Sequence, residues 1–121
     1  MPPTFGNGKI CYIVIPAADP EVSANFYQRA FGWQIRKRAD GAIAFDDGVG
    51  EVSGAWTTGL TPCPESTLSM HIMVDDMEAT LALVSANGGQ IHRPVGADAP
   101  LITALIRDPF GNVIGLYQHN R

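Results

Sequence analysis

Side chains able to do chemistry are few in this chain, and they do not cluster along it. Two carboxylate pairs, Asp46-Asp47 and Asp75-Asp76, have the composition for acid–base work. Each pair falls where a turn or a helix should begin, so the expected role is capping. Two cysteines, Cys11 and Cys63, are too few for a disulfide framework and read as reduced thiols. Nothing next to Cys63 in the sequence would lower its pKa, as a nucleophilic thiol requires. The chain has neither a glycine-rich phosphate loop nor a nucleophile elbow.

The bulk composition narrows the classes further. The formal charge is −4, and eight Lys and Arg do not cluster beyond Arg36-Lys37-Arg38. A nucleic-acid partner needs a basic face, so none is expected. No apolar run approaches the roughly 20 residues of a membrane span. The stretch from Met1 to Gly8 lacks a positive region followed by an apolar one, so no secretory signal is expected. With reduced cysteines, a cytoplasmic protein follows. The 121 residues suit one domain, residues 1–121.

The elements that position any site come in two matching sets. Residues 9–16 read as a strand that stops at Pro16. Asp19 is a good helix N-cap, Pro20 suits the first turn, and Glu21 complements the positive helix end. Val22, Phe26, Tyr27, Ala30 and Phe31 recur at helical spacing, and Gly32 closes the helix. Strands are expected at 33–38, 42–46 and 50–57, with Asp40-Gly41 as a hairpin turn. Residues 58–67 form a linker. The pattern then restarts: a strand at 68–74, a helix opened by Asp75-Asp76 and closed by Asn87-Gly88-Gly89, and strands near 90–94, 101–107 and 112–118. Met77, Leu81, Leu83 and Val84 make the apolar face of the second helix.

A shift of 57 residues superimposes Asp19 on Asp76, Glu21 on Glu78 and Gly32 on Gly89. A shift of 61 superimposes Val52-Ser53-Gly54-Ala55-Trp56 on Val113-Ile114-Gly115-Leu116-Tyr117, both Val-x-Gly-x-aromatic in part of their length. The reading is duplication. Module one spans about 9–57 and module two about 68–118.

Asp-Pro-Glu-x-Ser-x-x-Phe-Tyr-x-x-x-Phe-Gly-Trp at 19–33 resembles the first module of the vicinal oxygen chelate superfamily. Val74-Asp75-Asp76, Gly88-Gly89 and Asp108-Pro109-Phe110-Gly111-Asn112 resemble its second. The group includes glyoxalase I, bleomycin-resistance proteins and extradiol dioxygenases. The resemblance implies an α+β fold: two tandem βαβββ modules forming curved mixed sheets around a concave pocket. It also implies a divalent metal held by His, Glu or Gln from the first and last strands of each module.

Carried onto this chain, the four metal-holding positions are Tyr12, Gly54, Ser69 and Gly115. The 57-residue shift independently pairs Tyr12 with Ser69. Glycine has no side chain, serine is a poor ligand, and a phenol with a pKa of about 10 is protonated at neutral pH. No cofactor is therefore expected, and the family's divalent metal is the alternative. His71 and His119 lie two and four residues beyond Ser69 and Gly115, on the same strand faces by period-two spacing. Together with water they would make a two-histidine site. The simpler reading gives His71 a cavity wall and His119 the chain end.

Period-two spacing then lines the concavity with Tyr12 and Val14, Gly54 and Trp56, Ser69, His71 and Met73, and Gly115 and Tyr117. Tyr12, Trp56, Ser69, His71 and Tyr117 are the expected ligand-binding residues, suited to a flat, partly apolar organic molecule. The expected function is metal-free small-molecule binding, as a homodimer. The alternative is a metal-dependent glyoxalase-like lyase or isomerase, or a dioxygenase.

Overall fold

Helix α1, Pro20–Phe31, starts where Asp19 Oδ1 accepts from the Glu21 N–H at 3.1 Å. It stops at Gly32, whose φ of +73° only glycine adopts at little cost. Helix α2, Met77–Ala86, starts the same way, with Asp76 Oδ1 accepting from the Ala79 N–H. Asn87 rather than a glycine is its C-cap. The computed structural model describes residues 3–65 and 68–119. Residues 66 and 67 of the expected linker lie outside the described residues, as do the ends of the single domain expected over 1–121.

Around α1 stand β1 (Tyr12–Pro16), β2 (Gln34–Lys37), β3 (Ile43–Asp46) and β4 (Ser53–Thr57), in sheet order β1-β4-β3-β2. Around α2 stand β5 (His71–Val74), β6 (Gln90–Arg93), β7 (Ile102–Arg107) and β8 (Val113–Gln118), in order β5-β8-β7-β6. In each sheet the first strand pairs in parallel with the last, and the other pairs are antiparallel. The fold is α+β, built from two βαβββ modules.

One face of each sheet packs against its helix. Phe26 and Tyr27 of α1 are fully buried there, with Ile15, Phe45 and Trp56 from the sheet. Tyr27, Trp33 and Phe45 stack in sequence, with ring centroids 4.7 and 4.4 Å apart. Each such burial contributes about 1.5–3 kcal/mol. In α2, Met77, Thr80 and Val84 are buried, whereas Leu83 is exposed and does not share the apolar face expected of it.

The modules are joined through the Asp108–Asn112 turn. Asp108 is 3% exposed. Its Oδ2 accepts from the Tyr27 hydroxyl of module one at 2.8 Å and from Asn112 Nδ2 at 2.7 Å. Its Oδ1 accepts from the Phe110 and Asn112 N–H groups. Asn112 also donates to the carbonyl of Pro16 and accepts from the Cys63 N–H. A buried carboxylate with this many donors is compensated for its desolvation. Burial, then the Asp108 charge, pushes the Tyr27 phenol well above its ordinary value, so it stays a donor.

Candidate functional site

The open faces of the sheets are those turned away from the helices. Alternation along the strands assigns their residues. Ile13 and Ile15 of β1 face the helix side, so Tyr12 and Val14, both exposed, face outward. In β5, Ile72 and Val74 face the core, so His71 and Met73 face outward, as does Ser69 just before the strand. In β8, Ile114 and Leu116 belong to the core, which leaves Val113, Gly115 and Tyr117 on the open face.

Tyr12, Ser69, His71 and Tyr117 thus stand on the faces expected of them, but Gly54 and Trp56 do not. Trp56 is 3% exposed and packs against Phe45 and Tyr27 at 4.8 and 5.6 Å. A Cβ on Gly54 would meet the Phe45 ring at 2.4 Å, on the same core side. The cause is register. Val14 pairs with Ala55, and its counterpart His71 pairs with Gly115. The residue equivalent to Gly115 is therefore Ala55, and the last strands correspond by a shift of 60, not 61. One residue of slip turns every side chain to the other face.

The open face of module two is crowded around Gly115. A Cβ there would lie 2.1 Å from His71 Nδ1, so the imidazole occupies the space that a side chain at 115 would fill. His71 Nε2 stands 3.2 Å from Ser69 Oγ. His119 lies four residues past Gly115, roughly 13 Å along the strand from His71. It sits beside Tyr117, ring centroids 6.3 Å apart, and makes no pair with His71.

The donor set does not fit the metal that the resemblance implies. Tyr12, Ala55 (with Gly54 turned away), Ser69 and Gly115 offer two hydroxyls, and the imidazole of His71 beside Gly115 adds one competent ligand, short of the three that a catalytic site takes from the protein. Among the described residues, no group of three or more His, Cys, Asp or Glu could hold a metal ion.

A guanidinium, a carboxylate and a hydroxyl meet on each open face, with only the arginines at matching positions of the second and sixth strands. On module one, Arg36 Nε and Nη2 grip Asp46 at 2.9 and 3.0 Å, and Ser53 Oγ donates to Asp46 at 2.6 Å. On module two, Arg93 Nη2 lies 3.0 Å from Asp98, to which Thr103 Oγ1 donates at 2.5 Å. The Ser53 and Thr103 hydroxyls foremost, then the guanidiniums, hold both carboxyls below the ordinary range. Asp46 is thus an ion-pair partner rather than the turn cap expected; Asp47 caps that turn, accepting from the Glu51 N–H at 2.8 Å. Across the face of module one, Arg38 Nη2 donates to the Tyr12 hydroxyl, with the guanidinium 5.4 Å from the ring centroid. Sequence reasoning missed Arg36, Arg38 and Arg93. The signal available was Arg36-x-Arg38, two cations on one strand face.

Between the edge strands β1 and β5 runs a groove of about 740 Å³, lined by Tyr12, Val14, Leu68, Ser69, His71 and Val113. It is apolar, with a hydroxyl or imidazole at intervals.

A profile of the Glyoxalase/Bleomycin resistance protein/Dioxygenase superfamily matches residues 9–116. The chain belongs to that superfamily. Its relatives include a "Glyoxylase-like domain-containing protein" of Didymella fabae, 33% identical over 69% of this chain and 71% of that protein. A Vibrio parahaemolyticus protein named "Probable lactoylglutathione lyase" is 30% identical over 97% of this chain and 95% of its own. Among solved structures, TnmS3, an antibiotic binding protein from Streptomyces sp. CB03234, superimposes with a TM-score of 0.72 at 21% identity. It is matched over 97% of this chain and all of that one, a likeness of fold. No described helix is long and apolar enough to cross a membrane.

Proposed function

We infer that this superfamily member binds a small organic molecule on its open sheet faces without a metal. One observation carries the reading: the imidazole of His71 fills the space at Gly115, the place of the fourth metal-holding side chain. Non-ligating side chains at the other three places support it, as does the apolar groove beside them. The fold neighbour named an antibiotic binding protein supports a binding role. The test is elemental analysis of protein purified without added metal, with native mass spectrometry for a co-purified molecule. The expected result is no stoichiometric Zn, Ni, Fe or Mn. A tightly held ion on each chain overturns the reading.

The proposal includes a cytoplasmic homodimer. Both β1 and β5 are sheet edges, and Ile10, Leu68 and Met73 beside them are exposed; Leu68 is 92% so. A second copy would cover this apolar surface. Sedimentation at micromolar concentration should give a dimer, and a monomer there counts against it.

A metal-dependent glyoxalase-like lyase or isomerase, or a dioxygenase, is the second reading. Family membership and the exposed His71 beside Ser69 favour it. It requires turnover that chelation and His71→Ala both abolish.

A further inference from the structure

The open face of module one carries a cation that nothing on that face neutralises. Arg36 is held at both ends by Asp46, whose two oxygens are taken by Arg36 and Ser53. Asp40, in the hairpin that follows Arg38, accepts from the Ala42 N–H and closes its own turn. Among the described residues Arg38 has no carboxylate partner; its acceptor is the neutral Tyr12 hydroxyl. A guanidinium keeps five donors and its full charge, so one phenol oxygen leaves it under-used.

This contact is made from opposite edges of the sheet. Tyr12 belongs to β1 and Arg38 directly follows β2, with β4 and β3 between. By the pairing register the diagonal joining them crosses the Ala44–Ala55 pair. Those alanines are 1% and 7% exposed although no helix covers their face, so neighbouring side chains of that face cover them while the Tyr12–Arg38 strap is closed. The floor is two methyl groups, the walls are Val14 and the Tyr12 ring, and one end is an unneutralised guanidinium.

We propose that the Tyr12–Arg38 strap and the Ala44–Ala55 floor form the specificity site for a flat aromatic monocarboxylate. The proposal rests on the small-molecule-binding reading above and adds the ligand class. The carboxylate replaces the phenol as Arg38's acceptor, taking two parallel N–H donors instead of one. Once the strap has opened, the ring of the ligand lies on the alanine floor and against the Tyr12 ring. Asp46 on the same face repels a second negative charge, and the single open guanidinium matches one. A cationic or neutral isostere would leave Arg38 where it is, on the phenol.

The probes are 2-naphthoate, 2-naphthamide and acetate, titrated into the full chain by calorimetry. Naphthoate should bind at least about tenfold more tightly than naphthamide, and acetate should not bind measurably. In Arg38→Gln the naphthoate-to-naphthamide ratio should fall to about one. Arg38→Lys keeps the charge and loses the fork, and should retain only part of the preference. Arg38 is exposed, so both variants should fold, which circular dichroism checks. Equal binding of acid and amide, an unchanged preference in Arg38→Gln, or no binding of either probe overturns the site. These failures leave the metal-free reading standing, because that falls on metal content alone.

Discussion

The hydroxyl of Tyr27, on the first helix, lies 2.8 Å from Oδ2 of Asp108, in a turn 81 residues later. Both groups are buried. This contact crosses the module boundary, so its loss should be felt by the whole domain. Tyr27→Phe leaves Asp108 Oδ2 with Asn112 as its donor and should cost about 1–3 kcal/mol in denaturant unfolding. An unchanged midpoint would show that the contact adds nothing.

The same phenol sets an alkaline limit. Its pKa is raised above the ordinary 10.0, first by burial and then by the Asp108 charge. The folded state therefore holds the proton more tightly than the unfolded one. That contribution is fully present below pH 10 and is lost as pH rises through the folded value. Stability measured from pH 9 upward should fall in the native chain and fall less steeply in Tyr27→Phe.

Acid limits the two open faces in the opposite sense. Asp46 and Asp98 both titrate below the ordinary 3.8. Their contribution is present above that value and is lost as pH falls through the folded values. NMR titration should place both below 3.8, and Ser53→Ala and Thr103→Val should each raise the neighbouring carboxyl. A carboxyl that does not respond is not held by its hydroxyl.

Two glycines should respond differently to one added methyl. In Gly54→Ala the new Cβ would sit 2.0 Å from the Ile13 carbonyl oxygen and against the buried Phe45 ring. Neither can yield cheaply, so a loss on the order of 3 kcal/mol is expected. In Gly115→Ala the obstacle is the exposed His71 imidazole, which can rotate away. Stability should change by less than about 1 kcal/mol, while the His71 ring resonances shift. Similar losses in both variants would contradict the face assignment.

Metal removal should do nothing. On the metal-free reading proposed above, dialysis against a chelator leaves the thermal midpoint unchanged, because there is no bound ion to lose. A fall of several degrees, restored by one metal, would count against the proposed function.

Local signals carried most of the architecture. Asp19, Asp76 and Gly32 mark helix ends by chemistry that acts within a few residues, and they appear where expected. The sidedness of Trp56 was not legible in the same way. It depends on how β4 pairs with β1, and the similarity of Val52–Trp56 to Val113–Tyr117 is one residue out of phase with that pairing. Tyr12 and His71 lie on strands, and Ser69 just before one, whose phase is set by the helix caps just after them, so their faces could be read. The Arg38–Tyr12 contact was invisible, because it depends on how far a sheet curls.

The Asp108 turn takes donors from a helix and from the linker segment at Cys63, and donates to the carbonyl of Pro16 at a strand end. None of its bonds is made by an open-face side chain, although Pro16, Cys63 and Asn112 also line the groove between β1 and β5. Substitutions at Tyr12, Arg38, His71 or Tyr117 leave every one of them intact. On the proposed function, cohesion and selectivity therefore rest on different side chains, so that one cargo can be exchanged for another without renegotiating the terms on which the halves stay together.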